Sequence, residues 1–136
     1  MARITKDKEI KTILEESKVV AVVGMSQKTW RDSNKIGRYL MDNGYRVIPV
    51  NPAYDEIDGE KCYDSLKDVP ADIDIVDVFR KPEAVAEIAN EAIDVGAKTL
   101  WLQLGVVDEE AAEKAANAGL NVIMDHCVMV EHRKLL

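Results

Sequence analysis

Cysteine is scarce in this chain: Cys62 and Cys127 are the two present. They are too few for a disulfide scaffold and too far apart in sequence for a zinc motif, so two free thiols are expected. Histidine is equally sparse, and His126 and His132 have no matching acidic cluster to make a metal site. No apolar run approaches the roughly 18 residues of a membrane-spanning helix. The N-terminus, MARITKDKEI, carries charges where a secretory signal needs an apolar core, and a cytoplasmic protein is expected. A broad basic surface is missing as well, since 18 Lys and Arg face 25 Asp and Glu for a net charge of −7. That balance argues against nucleic acid or an anionic membrane as the main partner. Internal repeats, low-complexity tracts and linkers are absent. Residues 1–136 are therefore expected to form one domain, long enough to bury about two thirds of its unfolded surface.

What is present centres on residues 18–44, KVVAVVGMSQKTWRDSNKIGRYLMDNG. The β-branched run 18–23 ends at Gly24, the pattern of a parallel strand covered on both faces. A polar loop follows to Ser33, a good N-cap, and Ile36, Tyr39 and Leu40 make one helical face that Gly44 closes. A helix start facing a strand end suits a phosphate, because its N–H groups lack partners and its dipole is positive. Charge agrees with that reading. Between Gly24 and Arg38, Lys28, Arg31, Lys35 and Arg38 stand against Asp32 alone, a local excess of cations inside an acidic chain.

Four further strands are expected, at 45–50 (ending in Asn51-Pro52), 73–79, 98–104 and 121–124. Thr5 is positioned to cap a first helix with the apolar stripe Ile10, Ile13 and Leu14. Pro82 starts a helix that buries Val85, Ile88, Ala89 and Ala92, and Asp108 caps another with an alanine face. The tail 127–134 reads as a last helix. The alternation specifies an α/β fold, a Rossmann-like doubly wound five-stranded parallel sheet flanked by helices, with the order 3-2-1-4-5 expected from right-handed crossovers. Loops that follow strands then converge on one edge, where ligands of such sheets bind.

The ligand is harder to read. An NAD site is disfavoured, because Ser26 and Thr29 stand where GxGxxG has its later glycines. The second strand ends in Asn51-Pro52 rather than the acidic residue that holds a ribose 2′-hydroxyl. Cations without that acid favour a ribose bearing an extra phosphate, as in NADP or coenzyme A. The residues alone leave both open.

The blocks VVGMSQKTWRDSNKIGRYL, GYRVIPVNP, DGEKCY, DIVDVFRKPE, KTLWLQLGV and MDHCVMVEH, in that order, closely resemble the small single-domain CoA-binding proteins. These are relatives of the nucleotide-binding domain of succinyl-CoA synthetase's alpha subunit. The resemblance implies coenzyme A or an acyl-CoA held at the strand ends, with no established reaction. It places Gly24, Met25 and Ser26 at the binding loop and the pyrophosphate, with Arg31 and Ser33 flanking. Asn51, Pro52, Phe79 and Arg80 would border the adenosine end, and Gln103 the far side. Lys28 and Arg38 complete the candidate set, though such side chains are often simply solvated. Gln27 and Thr29 stand where the family commonly has prolines.

Several residues have two readings. Gln103 is either ligand-facing or paired with a loop backbone, since a polar group ending an apolar strand needs a partner. Trp30 is read as covering apolar surface rather than stacking on adenine, Trp101 as core, and Lys81 as surface. A mixed disulfide of Cys127 or Cys62 with the CoA thiol is the alternative to a buried structural thiol, which is the preferred reading, and a His126–Cys127 dyad is disfavoured because adjacent side chains point apart. The expected function is a CoA or acyl-CoA binding module without catalysis of its own. The alternatives are an NADP-linked oxidoreductase or redox sensor, and a subunit of an acyl-CoA synthetase-type ligase that works with a partner chain.

Overall fold

The computed structural model describes residues 2–136. Along the chain run β1 (Ala2–Arg3), α1 (Asp7–Glu16), β2 (Val19–Val23), α2 (Asp32–Asp42), β3 (Arg46–Val50) and a hairpin of β4 (Glu56–Ile57) and β5 (Glu60–Lys61). They are followed by β6 (Ile75–Val78), α3 (Val85–Asp94), β7 (Thr99–Leu102), α4 (Glu109–Asn117), β8 (Asn121–Met124) and α5 (Val128–Leu135), with short 3₁₀ turns at Leu66–Asp68 and Pro82–Ala84. Among the described residues no helix is long and apolar enough to cross a membrane.

The Rossmann-like parallel sheet flanked by helices is as the sequence implied, with one added strand and one change of order. The sheet reads β1-β8-β7-β6-β2-β3, and every pair in it is parallel. Over the five expected strands this is 2-1-3-4-5 rather than 3-2-1-4-5, so the order reverses between β2 and β6. The cause is visible in Leu66, whose side chain packs with Ile73, Val76 and Val85 on the opposite face of the sheet from α2. A right-handed crossover on that face must travel back across β2, which puts β6 on its far side. The short β1 escaped the sequence reading because two residues carry no periodic signal.

Alternation along each strand divides the core in two. Val20, Val22, Ile75, Trp101 and Ile123 face α1, α2 and α5, where they meet Ile10, Leu14, Ile36, Leu40 and Val128. Ala21, Val23, Val76, Val78, Leu100, Leu102 and Val122 face α3 and α4, whose small residues Ala89, Ala92, Ala111, Ala112 and Ala115 allow close approach. Capping differs from expectation at two helices. Lys6 rather than Thr5 precedes α1, and Arg31 rather than Ser33 precedes α2, neither with a side-chain cap. Asp108 does cap α4, its Oδ1 accepting from the Ala111 N–H at 3.0 Å.

Two aspartates near and on β6 meet opposite fates. Asp74 Oδ2 accepts from the N–H groups of Lys18 and Val19 at 2.8 and 2.9 Å, and Lys98 Nζ lies 3.4 Å from its other oxygen. Burial pushes its carboxyl up, but the two N–H donors and Lys98 outweigh burial and hold it below the usual carboxylate range. Asp77 is fully buried in register with Val22 and Trp101, and neither carboxylate oxygen has a hydrogen-bond partner among the described residues. Desolvation alone pushes it well above the usual range, which favours the protonated form.

Asp74→Ala is expected to lower stability by about 1–3 kcal/mol, because two strand-start N–H groups lose their acceptor. Because its folded pKa is depressed, this contribution is present at neutral pH and fades as pH falls through the folded value, which urea unfolding at pH 7 and pH 3 measures. Asp77 has the opposite sign. The folded state holds a proton that the unfolded state releases, so stability falls as pH rises from the ordinary carboxylate range toward the raised folded value. Asp77→Asn should flatten that decline in a series of unfolding curves.

Candidate ligand-binding cleft

The cleft begins where β2 stops. Gly24 has φ +89°, donates its N–H to Val50 O at 2.8 Å, and lies so close to β6 that a Cβ built on it would stand 2.4 Å from Phe79 O and 2.9 Å from Arg80 Cδ. No side chain fits there, and the backbone conformation is itself one that L-residues rarely adopt. The loop that follows is held by polar side chains. Ser26 N–H donates to Ser33 Oγ at 3.0 Å and Lys28 N–H to Ser26 Oγ at 3.0 Å. Asn34, fully buried, donates to Ser26 O at 2.8 Å and to Asp58 Oδ2 at 3.0 Å. Asn51 donates to Met25 O at 3.0 Å and accepts from Ala53 N–H at 3.0 Å, tying the ends of β2 and β3 together. Gln27 reaches the hairpin through Glu56 O at 2.7 Å.

These loops, with those after β6, β7 and β8, enclose a cleft of about 980 Å³ at the carboxyl ends of the strands. Lys28, Arg31, Arg80 and Lys81 line it against Asp32 and Glu83. The first turn of α2 opens onto it through Arg31, Asp32 and Ser33; the N–H groups of Asp32 and Ser33 have no acceptor within the helix, while that of Arg31 is taken by Lys28 O at 3.1 Å. A dipole end and an excess of cations at one rim make the cleft suited to phosphate groups. Tyr54, Phe79, Leu104 and Val106 supply apolar walls.

Of the residues singled out in the sequence, Gly24, Ser26, Lys28, Arg31, Ser33, Asn51, Phe79, Arg80 and Gln103 line this cleft, and Met25, Pro52 and Arg38 do not. Met25 is fully buried and turned into the core, where it fills the space left by Gly37: a Cβ there would lie 2.6 Å from Met25 Cε. Pro52 is exposed on the outer turn. Arg38 lies one helical turn beyond the cleft, pairs with Asp58 at 3.6 Å and borders a separate depression with Lys35 and Arg133. Trp30 is 68% exposed, with Lys28 Nζ 5.9 Å from its ring centre. Trp101 is core, and its Nε1 donates to His126 O at 2.9 Å.

Gln103 fits both of its readings: its Oε1 accepts from Val128 N–H at 3.1 Å while the residue lines the cleft. Lys81, read as surface, is exposed and also lines the cleft. Tyr54, Glu83, Ala84, Leu104, Val106 and Cys127 were not in the candidate set, and their common signal is position just after a strand. His126 directs Nδ1 toward Glu131 Oε2 at 3.8 Å, not toward Cys127.

A wound parallel sheet with a glycine turn and gathered cations at its strand ends defines a domain built to hold a phosphorylated ligand. The chain belongs to the CoA-binding domain family, whose model matches residues 18–133. It is 44% identical over 124 residues to the uncharacterised Bacillus subtilis protein YneT, covering 91% of this chain and 92% of that one. It is 36% identical over 93 residues to the ADP-forming acetate–CoA ligase of Methanocaldococcus jannaschii, covering 68% of this chain but 13% of the ligase. The structure superposes on that of a hypothetical protein from Pyrococcus horikoshii with a TM-score of 0.94 and 42% identity, over 99% of this chain and 96% of that one.

Gly24→Ala is expected to be costly on two counts, a strained φ and a clash with backbone rather than with a movable side chain. A loss of about 2 kcal/mol or more, read from thermal unfolding, is the expected outcome. Gly44→Ala also takes a positive φ but meets nothing within 4 Å, so it should cost less.

Proposed function

We propose that the cleft binds coenzyme A, free or acylated, and that the chain acts as a binding module rather than as a catalyst. The observation that carries this reading is the meeting of Lys28, Arg31, Arg80 and Lys81 at one strand edge of a chain whose net charge is −7. Coenzyme A offers a pyrophosphate and a 3′-phosphate to such a group of cations. Asn51, at the end of β3, spends its side chain on Met25 O and Ala53 N–H, and it has no carboxylate for the ribose diol that NAD presents. Membership of the CoA-binding family supports the same ligand. The chain spans a small fraction of the acetate–CoA ligase it matches, which supports a role for this unit in holding the cofactor while other chains or domains carry chemistry.

Thermal unfolding with coenzyme A, dephospho-coenzyme A, acetyl-coenzyme A, NAD and NADP tests the proposal, since a ligand that binds only the folded state raises the melting temperature. Coenzyme A is expected to stabilise more than dephospho-coenzyme A, and both more than NAD. Greater stabilisation by NADP would overturn the reading. Arg31→Ala should weaken coenzyme A binding about tenfold, the loss of one charge-assisted hydrogen bond of about 1.5 kcal/mol.

A further inference from the structure

We propose that Asp58 is a positioning residue for the ligand: acting through Asn34, it fixes the loop after β2 in the shape that receives the phosphates. The inference rests on the coenzyme A reading above and names a contact outside the cleft on which affinity depends.

Asp58 and Gly59 are the two residues that join β4 to β5, since Ile57 pairs with Glu60 and Glu56 with Lys61. Their φ angles, +52° and +83°, are both left-handed, the turn that an Asp-Gly pair suits and that matches the twist of a two-residue hairpin. Ile57 and Cys62 anchor the hairpin in the core, and Cys62 N–H donates to Asp55 O at 2.9 Å. A tight turn on a fixed base leaves the Asp58 carboxylate little freedom, and it lies against α2.

There the carboxylate meets two donors. Arg38 approaches Oδ1 at 3.6 Å, but Arg38 is exposed and such a pair contributes little. The second donor is of another kind. Asn34 is fully buried, and its Nδ2 donates to Asp58 Oδ2 at 3.0 Å and to Ser26 O at 2.8 Å. One amide group thus joins the hairpin to the loop. Asn34 Oδ1 has no hydrogen-bond partner among the described residues, so the bonds to Asp58 and Ser26 are the ones that orient the amide. Turned over, it would set its oxygen against a carboxylate and a carbonyl.

Ser26 passes this constraint to the cleft. It lines the cleft, its N–H donates to Ser33 Oγ at 3.0 Å, and its Oγ accepts from Lys28 N–H at 3.0 Å. A shift at Ser26 therefore moves both the wall of the cleft and the backbone that carries Lys28. Gln27 Nε2 adds a parallel tie to the hairpin through Glu56 O at 2.7 Å. Without the Asp58 carboxylate the Asn34 amide keeps the Ser26 carbonyl as its one acceptor and gains freedom to rotate. Ligand binding must then order the loop as well as fill the cleft, which weakens affinity.

Asp58→Gly removes the carboxylate and leaves a residue that accepts the positive φ, so the turn and the melting temperature should be kept. Calorimetric titration with coenzyme A is expected to show binding about tenfold weaker than wild type. Asp58→Asn, which keeps an oxygen acceptor and tolerates the same φ, should bind close to wild type. Asn34→Ala breaks the same bridge from its other end, so the double variant should bind no more weakly than Asn34→Ala. In the unliganded protein, hydrogen exchange at the Ser26 and Lys28 amides should be faster in Asp58→Gly. An Asp58→Gly protein that unfolds, that exchanges there as slowly as wild type, or whose loss of affinity adds in full to that of Asn34→Ala overturns the inference. Wild-type and Asp58→Gly proteins that bind coenzyme A equally overturn the positioning role and leave the parent reading standing. A wild-type protein that does not bind coenzyme A overturns the parent reading.

Discussion

The structure turns on a single close approach. Gly24 lies between the ends of β3 and β6, bonded to Val50 O on one side and within a Cβ's reach of Phe79 O on the other. Three strand ends can meet there because the residue has no side chain and accepts a positive φ. From that point the chain leaves the sheet as a polar loop and packs back against it as α2, so the helix start faces the strand ends. Had the chain turned more widely, the cations of the loop and those after β6 would not share a cleft.

Electrostatic context sets the behaviour of identical residue types. Asp74 and Asp77 are three residues apart, yet two backbone N–H groups and Lys98 favour the ionised form of one while burial without partners favours the protonated form of the other. The basic side chains follow the same rule. Arg31 and Arg80 lie where backbone turns leave room for an anion, whereas Arg38, on the same helix as Ser33, already faces the Asp58 carboxylate. Sequence position separates such cases poorly, because the deciding partner comes from elsewhere in the chain.

Much of the fold was legible from periodicity and punctuation. The β-branched runs, Gly24, Asp108 and Pro82 marked strands and helix starts, and the convergence of the loops after the strands followed from parallel topology. The strand order was not legible to the same degree, since it depends on which face receives Leu66, one apolar residue in a segment of turn composition. Site residues divided along a similar line. Gly24, Arg31 and Arg80 were readable from place and charge. Met25 was not, because adjacency to a glycine turn says nothing about the side-chain direction that Gly37 makes possible. Tyr54 was missed because the hairpin that positions it is built from two-residue strands, and Ser33 proved to hold the loop backbone rather than to cap α2.

The loop after Gly24 has few internal constraints of its own. Asn34 in the following helix and Asn51 at the end of the neighbouring strand grasp its carbonyls, and Ser33 receives one of its N–H groups. Its shape is thus imposed by anchors outside the segment. The tip around residues 28–30 carries none of those outside anchors, so a change in its residues or its charge alters what the cleft presents without redrawing the path of the chain.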